Sequence, residues 1–480
     1  MGKSHPPGRD QGERLIVDMA VRRADEMPAP YRRPPDDAGS YAARWQGAPP
    51  AWLRGSALRT CPAIFHLPGW QASHLFDGLG AVFAFRVAKE PRLDWRLIDC
   101  EALREARKGR ARLASFGTRM RRPWWLRLFQ PVPRITDNAN VNIQPFAGGV
   151  VAMTEAPKQA LIDPATLAVK EWLRYDDELG AASMTAHPVF DPQAGLLVNI
   201  AQVFGAKPEC VLYQHAPNDL RRRVLARWHS REQPYVHSFG LTPRRAVLIS
   251  HPLLVRPKTM LWSEKSYIEH FRWQPERGTR LIVLDRAGGP PRIAETDACF
   301  VFHVANAFEE RDATVVDAIA YPDPGVVGEL RVENLARSPM AKADYVRIRI
   351  PANGRATLER RLERRFDFPA IHPRNVGRSH RYCWGADPWS GPGRSALYKL
   401  DVEKARQSAA QFEGWMVGEP LFVPEPGASA EDAGVLLAVG SHVARDAAAL
   451  FVVDAATMDL IASAEAQVAL PLGFHGTFIH

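Results

Sequence analysis

Short apolar stretches separated by turns, rather than the 3.6-residue periodicity of helices, dominate this chain. Residues Val346–Ile350 alternate apolar and arginine side chains, which is the pattern of a half-buried strand. An apolar residue, an aspartate and a turn also recur together, because the carboxylate accepts a hydrogen bond from the backbone two residues on. This unit occurs at Leu161–Pro164, Val189–Pro192, Val283–Asp285, Lys399–Asp401 and Val452–Asp454. The pattern predicts a succession of antiparallel hairpins.

The hairpins extend over nearly the whole chain, which favours an all-β fold built by repetition. A β-propeller is the most economical such fold, because radial repetition leaves only short and protected strand edges. The 40 prolines and 34 glycines supply the turns between strands. We expect a single propeller domain over residues 37–480. Residues 1–36 are rich in Pro, Arg and Asp, and we expect them to form a mobile N-terminal arm.

The composition is that of a large globular protein. The chain has 480 residues, of which 46% are hydrophobic and 24% charged. It contains no run of about 18 apolar residues, so we expect no membrane-spanning helix. Its five cysteines are scattered without a CxxC pair, which favours a reducing cytoplasm. The net charge of +9 comes without a basic stripe interleaved with stacking aromatics, so we expect no nucleic-acid partner.

Four histidines lie in stiff apolar or Gly/Pro-marked segments that are far apart in the chain. Intervals of 50, 66 and 172 residues fit no local metal motif, and only a fold that brings distant segments to one axis can unite them. The inner strands of a propeller do so, and four imidazoles indicate a borderline transition metal. The four are His187, His237, His303 and His475. Residue type alone does not exclude four others in similarly ordered segments: His74, His251, His372 and His380.

Several segments in a fixed order resemble the carotenoid cleavage oxygenase family, from about Trp45 to the C-terminus. They are Pro50–Gly55, His74–Gly78, Phe116–Thr118, Thr136–Asn142, Phe368–Ile371, His380–Tyr382, Gly418–Pro424 and Gly473–Gly476. The Phe-Gly-Thr and Thr-Asp-Asn segments lean toward the animal-type branch, which cleaves β-carotene and isomerises retinoids. The resemblance implies a seven-bladed β-propeller with loops and short helices capping one face.

The same resemblance implies an Fe(2+) ion held by His187, His237, His303 and His475, with no catalytic side chain beyond this metal centre. The family anchors its histidines through three acidic residues, which match Glu155, Asp367 and Glu419 here. At Asp367 the family usually has a glutamate, and the aspartate side chain is shorter by one methylene, about 1.5 Å. The backbone at Asp367 must then approach the anchored histidine more closely, or a water must bridge the carboxylate and the imidazole. Otherwise that histidine is held less tightly.

The implied reaction inserts both atoms of O2 across one C=C bond of an apolar polyene, a carotenoid or apocarotenoid, and gives aldehyde products. A stilbene-cleaving dioxygenase is the alternative, although the sequence does not reveal the Lys/Tyr pair that would bind a phenol. A retinoid isomerase of the same fold is a further alternative. A propeller that only scaffolds protein partners would have no use for four axial histidines, and we expect no obligate protein partner.

Such substrates are found in membranes, and the segment from Ser115 to Arg134 combines arginines with aromatic and apolar residues. Cations beside tryptophan at an apolar patch are typical of an interfacial membrane contact. The candidate contact residues are Trp124, Trp125, Leu126, Leu128 and Phe129. We therefore expect a cytoplasmic protein that associates peripherally with the membrane. The alternative is that these aromatics lie in the core and the arginines form a solvated edge.

Overall fold

The computed structural model describes residues 27–335, 341–391 and 393–480, leaving aside the side chains of residues 363–364 and 389–391. Of the expected N-terminal arm, residues 1–26 lie outside these ranges. Residues Ala29–Tyr31 form a buried 3-10 turn, and the Pro30 carbonyl accepts a hydrogen bond from Leu472 N at 2.8 Å. The end of the arm segment thus packs against the C-terminal part of the chain.

Nearly all the regular structure is β-strand, as the hairpin pattern predicts. The first strands are β1 (Ala38–Gly47), β2 (Gly55–Ile64), β3 (His66–Leu67), β4 (Trp70–Gln71), β5 (Leu79–Val87), β6 (Arg92–Leu97), β7 (Asn142–Phe146), β8 (Gly149–Met153), β9 (Gln159–Ile162), β10 (Val169–Leu173), β11 (Ser183–Met184) and β12 (Val189–Asp191). The next are β13 (Leu196–Val203), β14 (Glu209–His215), β15 (Arg223–His229), β16 (Gln233–Pro234), β17 (Gly240–Leu241), β18 (Arg245–Ser250), β19 (Leu253–Val255), β20 (Arg272–Trp273), β21 (Thr279–Asp285), β22 (Arg292–Thr296), β23 (Phe300–Glu309) and β24 (Ala313–Tyr321). The last are β25 (Ala343–Pro351), β26 (Thr357–Arg364), β27 (Asp367–Ala370), β28 (Tyr382–Gly391), β29 (Arg394–Asp401), β30 (Arg406–Glu413), β31 (Trp415–Val417), β32 (Leu421–Pro424), β33 (Gly434–His442), β34 (Ala448–Asp454), β35 (Leu460–Ala466) and β36 (Gly476–Ile479).

Helices are short and lie in the connections. The α-helices in the described ranges are α1 (Glu101–Arg107), α2 (Trp124–Phe129) and α3 (Gly325–Glu329). Besides Ala29–Tyr31, the 3-10 turns are Leu75–Asp77, Pro257–Met260, Ile268–His270, Pro275–Arg277, Val332–Asn334 and Pro373–Asn375. In the described part of the chain, none of these helices has the length and hydropathy needed to cross a bilayer.

The strands pair antiparallel, and most sheets contain strands that follow one another in the chain. Five sheets run β10-β9-β8-β7, β11-β13-β14-β15 with β12 also on β13, β17-β18-β21-β22, β23-β24-β25-β26 and β27-β28-β29-β30. A ten-stranded sheet runs β31-β33-β34-β35-β1-β6-β5-β2-β36, with β32 also on β33. Two smaller sheets are β16-β19-β20 and β3-β4. Strand β1 divides the ten-stranded sheet, because its first half pairs with β6 and its second half with β35.

The innermost strands of successive sheets meet around a common axis. Asn142 Nδ2 on β7 donates to Ala186 O at 2.6 Å, and Ser238 Oγ donates to Phe302 O on β23 at 2.6 Å. Strand β23 contacts β17 and β27, and β36 contacts β32 and β7, so the succession of sheets returns to its start. The expected number of seven blades stays a prediction.

Each sheet buries apolar side chains against the next one. Trp384 on β28 stacks on Phe422 of β32 with ring centroids 4.5 Å apart, and both are buried. Burying side chains of this size contributes roughly 1.5–3 kcal/mol each. Over one end of the axis, loops and α3 form a cap whose core includes Leu75, Phe271 and Val326.

Candidate metal centre

The innermost strands are interrupted where the candidate residues lie. His187 lies between β11 and β12, which both pair with β13, and His237 lies between β16 and β17. The register of β23 shifts on either side of Val304, next to His303. His475 directly precedes β36. Bulges and breaks of this kind redirect side chains, and they are common beside active sites.

These interruptions bring the four histidines together at the axis. The Nε2 atom of His237 lies 3.0 Å from that of His187 and 3.3 Å from that of His303. The Nε2 atoms of His303 and His475 are 3.2 Å apart, and the four candidate ligand atoms all lie within 4.8 Å of one another. His187 is half-buried and the other three are buried.

The spacing of these nitrogen atoms fits a single bound ion. Metal–imidazole bonds are about 2.1 Å long, so two such ligands at a right angle place their nitrogens about 3 Å apart. The observed neighbours at 3.0, 3.3 and 3.2 Å match this geometry. Four nitrogen donors with no thiolate suit a borderline transition metal, and they leave coordination positions of a six-coordinate ion open.

Three of the imidazoles are held from behind by a carboxylate. The Nδ1 atom of His237 lies 2.5 Å from Glu155 Oε1, and that of His475 lies 2.8 Å from Glu419 Oε1. The structure also places Asp367 Oδ1 at 2.6 Å from His303 Nδ1. Carboxylates behind imidazoles fix the tautomer that leaves Nε2 free to bind a metal.

Each carboxylate is itself held by a buried donor. The Tyr235 hydroxyl donates to Glu155 Oε1 at 2.7 Å, and the Tyr321 hydroxyl donates to Asp367 Oδ2 at 2.6 Å. Glu419 Oε2 instead accepts from Arg59 Nη1 and from Gly476 N, both at 3.0 Å. Nothing in the sequence marked Tyr321 or Arg59 as a donor to these carboxylates. Tyr235 alone carried a signal, because it stands two residues before His237.

Burial favours the neutral form that metals bind for His187, His237 and His475. Burial, and then the neighbouring imidazoles, lower the pKa of His187 well below its usual value. Burial also lowers the pKa of His237 and of His475, and this effect outweighs the opposing influence of Glu155 and Glu419. A low pKa means that few protons need to be displaced when a metal binds near neutral pH.

The four other candidate histidines are engaged elsewhere. His74 Nδ1 accepts from Phe76 N, and its Nε2 lies 2.9 Å from Val327 O in the cap. The remaining three lie outside the cluster of ligand atoms: His251 beside aromatic rings, His372 at the start of a 3-10 turn, and His380 in a polar network with Asn306 and Tyr345.

An apolar cavity of about 530 Å³ reaches the cluster from the capped side. His237 and Glu155 line the cavity, and so do the aromatic rings of Phe76 and Phe116. A small adjoining space is lined by Phe302, Phe474 and Tyr321, among others. The larger volume lies in the range of small-molecule sites, and the predominance of apolar walls selects an apolar ligand.

A second cavity of about 430 Å³ touches His187, His303 and His475 from the opposite end of the axis. Phe368 lines both this cavity and the small space on the capped side, and its ring centroid lies 5.4 Å from that of His303. Its φ of 54° is rare for a bulky residue and indicates backbone strain next to Asp367.

Helix α2 presents an exposed apolar surface. Its exposed side chains are Trp124 (71%), Trp125 (51%), Leu128 (60%) and Phe129 (78%), whereas Leu126 is half-buried. Trp262, missed in the sequence, is 55% exposed and joins this surface through a hydrogen bond from its N to Pro131 O. Val132 is 64% exposed and also lines the apolar cavity. The surface therefore adjoins the cavity wall.

Comparison with known proteins identifies the family. The model of the family described as retinal pigment epithelial membrane protein matches residues 33–480. A carotenoid cleavage dioxygenase 8 homolog A of Oryza sativa is 30% identical in an alignment 470 positions long. The alignment covers 90% of this chain and 84% of that protein. The chain belongs to the carotenoid cleavage oxygenase family. Another member, the apocarotenoid-15,15'-oxygenase of Synechocystis, is 26% identical over 93% of this chain and 95% of its own.

A solved structure of this oxygenase family has the same fold. Cobalt-substituted Synechocystis apocarotenoid oxygenase superposes with a TM-score of 0.83 at 24% identity, and the match covers 95% of this chain and 99% of that one. The predicted β-propeller is thereby confirmed. The lean toward the animal-type branch stays a prediction, because plant, cyanobacterial and animal relatives match at similar identities, the last including a carotenoid isomerooxygenase of Galleria mellonella at 27%.

Proposed function

We propose that this protein is a non-haem Fe(2+) oxygenase that uses O2 to cleave one C=C bond of a carotenoid or apocarotenoid into aldehyde products. The observation that carries this proposal is the convergence of four imidazole Nε2 atoms at the inner end of an apolar cavity. The relatives named as carotenoid and apocarotenoid oxygenases support the substrate class. Residues 37–480 form one catalytic domain in this proposal.

In this reaction the side chains position the reactants. His187, His237, His303 and His475 would hold the iron, which supplies the oxygen chemistry when it is bound. Glu155, Asp367 and Glu419 accept hydrogen bonds from the Nδ1–H groups of His237, His303 and His475, and so keep the Nε2 atoms of these three rings directed at one point. In outline, the reaction requires no side chain to donate or accept a proton.

The cavity walls fix the substrate and exclude water. Phe76 contacts the rings of Phe116, Phe302 and Phe474, with centroids 5.0, 6.0 and 5.4 Å apart. These rings present flat apolar faces on the way to His237, and a conjugated polyene stacks on such faces. A dry passage also keeps reactive species from water.

Metal analysis combined with a product assay tests the proposal. We expect about one iron per chain and aldehydes of defined mass from β-carotene or an apocarotenal. His303→Ala should lose both, whereas His251→Leu, which changes a buried histidine outside the cluster, should retain both. Absence of stoichiometric iron, or an iron-loaded protein that cleaves neither polyene, would refute the proposal.

Cleavage of phenolic stilbenes is a second candidate with an observation in its favour. Lys258 and Tyr267 both line the apolar cavity, although the sequence did not reveal them as a pair. Such groups could bind a phenol. Incubation with resveratrol in the same assay separates the candidates, because the aldehydes from a stilbene and from a polyene differ in mass.

We also propose that the protein lies peripherally on a membrane, on its cytoplasmic side, and draws its substrate through the α2 surface. Each exposed aromatic side chain that enters the interface contributes on the order of 1.5 kcal/mol. Changing Trp124, Trp125 and Phe129 to Ser should therefore weaken binding to liposomes at least 100-fold. A control with Ile293 and Leu460 changed to Ser removes exposed apolar residues elsewhere (42% and 53%). Equal binding of both variants would contradict this proposal.

A further inference from the structure

Arg59 is a buried arginine beside the C-terminal candidate ligand. It lies on β2 opposite Gly476 of β36, and its side chain is only 1% exposed. A Cβ atom at Gly476 would lie 2.5 Å from Arg59 Cγ, and one at Gly473 would lie 3.1 Å from Arg59 Cδ. The two glycines that flank Phe474 and His475 therefore leave the space that the arginine stem occupies.

The guanidinium connects the backbone and the side-chain anchor of His475. Its Nη1 donates to Phe474 O, the carbonyl that precedes His475, at 3.0 Å. The same atom donates to Glu419 Oε2 at 3.0 Å, and Nη2 donates to Glu419 O at 2.5 Å. The other carboxylate oxygen of Glu419 faces His475 Nδ1 at 2.8 Å. One residue thus holds both the chain and the carboxylate that aim this imidazole.

Arg59 also distinguishes this anchor from the other two. Glu155 and Asp367 accept hydrogen bonds from neutral tyrosine hydroxyls, whereas Glu419 pairs with a cation. With one arginine against three carboxylates that are each at most 13% exposed, these four groups sum to two negative charges, which a divalent ion balances. Uncompensated buried charge is costly, so this balance favours a divalent ion over an empty site.

We propose that Arg59 is a positioning residue that orients His475 and adjusts the charge of the site to a divalent metal ion. The inference rests on the proposed metal centre. An ordinary ion pair between strands would affect only the stability of the fold. Arg59 should in addition affect the affinity of the site for a metal ion.

Two substitutions separate charge from orientation. Arg59→Met keeps the length of the stem but removes the cation and every hydrogen bond. Arg59→Lys keeps the cation, but a compact ammonium cannot reproduce the planar set of contacts. Arg347→Met is the matched control: Arg347 is also buried, and it donates to both oxygens of Asp317 at 2.8 Å, a pair that neighbours His380 and none of the four candidate ligands.

The measurement is Co²⁺ affinity of the metal-free full chain by competition with a chromophoric chelator, together with the visible absorption spectrum of the bound ion. Arg59→Met should weaken Co²⁺ binding about 10–100-fold, which is the usual effect of removing a partner of a metal ligand. Arg59→Lys should lose less than tenfold but show a shifted spectrum. Arg347→Met should lower thermal stability and leave Co²⁺ affinity unchanged.

Wild-type affinity and spectrum in Arg59→Lys and Arg59→Met would overturn the proposal, as would an equal loss of affinity in Arg347→Met. If Arg59→Met does not fold, the spectrum of Arg59→Lys decides alone, and an unchanged spectrum overturns the proposal. A wild-type chain that binds no Co²⁺ would instead refute the metal centre itself.

Discussion

The aspartate behind His303 allows a quantitative test of the metal centre. Asp367 Oδ1 faces two N–H donors, His303 Nδ1 at 2.6 Å and Phe368 N at 2.8 Å, and Oδ2 accepts from the Tyr321 hydroxyl at 2.6 Å. Neither N–H group can reverse its role when the metal occupies Nε2 of His303. In Asp367→Asn the amide oxygen must therefore remain at the Oδ1 position, and the Tyr321 hydroxyl must turn to accept from the new amide.

This substitution keeps the number of hydrogen bonds and removes only the charge. A hydrogen bond to a charged group contributes about 1.5–3 kcal/mol, and a neutral one about 1 kcal/mol. The difference of roughly 1.4 kcal/mol corresponds to a tenfold weaker metal affinity. Asp367→Ala removes the acceptor as well, and we expect a loss nearer 100-fold.

Anaerobic titration of the metal-free protein with Fe²⁺ against a chromophoric chelator measures these affinities. Asp77→Asn is the matched control, because buried Asp77 also accepts three hydrogen bonds, from Phe116 N, Gly117 N and Thr118 Oγ1, but none from a histidine. It should lower the unfolding temperature without changing Fe²⁺ affinity. Wild-type affinity in Asp367→Ala, or the same loss in Asp77→Asn, would refute the reasoning.

Three further outcomes are expected. The Glu269 carboxylate is partly desolvated, but hydrogen bonds from Arg119 and Ser266 lower its pKa from 4.5 to about 2. The charged carboxylate therefore stabilises the fold fully above pH 4.5, and this stabilisation is lost as the pH falls toward 2. The difference in unfolding temperature between wild type and Glu269→Gln should shrink over the same pH range. Arg347→Met leaves the Asp317 carboxylate buried without its cation, and urea unfolding should show a loss of about 3–5 kcal/mol. Removing the metal with a chelator should lower the unfolding temperature, and excess Fe²⁺ at 100 times its dissociation constant should restore about 2.7 kcal/mol; a chelator-insensitive transition would contradict a site that binds only the folded chain.

The sequence was informative where chemistry depends on residue type and less so where it depends on distant contacts. Stiff context left eight histidines open, the family resemblance selected four of them, and the structure brings the Nε2 atoms of these four together. The contact of Asp367 with His303 could not be derived, because it depends on how closely two inner strands approach. Arg59 lies 360 residues from Glu419 along the chain, and no local pattern connects them.

The arginine-rich segment shows the same limit. Arg119 and Arg121 are exposed, as an interfacial segment requires, but Arg122 is buried and donates to Gln130 O. These arginines precede α2 in an irregular segment, where no periodic pattern distinguishes the two environments. Trp262 belongs to the same surface but comes from a different loop, so only the folded chain reveals the full extent of the patch.

The interruptions of the inner strands explain how a rigid propeller can direct four side chains to one point. Where a strand breaks, backbone groups lose their ladder partners, and buried groups without partners are costly. Polar side chains replace those partners: Asn199 Nδ2 donates to Thr185 O at 3.0 Å, and Asn142 Nδ2 donates to Ala186 O at 2.6 Å. Ser238 Oγ donates to the Phe302 carbonyl and accepts from Val304 N at 2.9 Å, so it satisfies both sides of the bulge that carries His303. Asn142, Asn199 and Ser238 therefore allow the histidines to leave the strand ladder and direct their Nε2 atoms to one point.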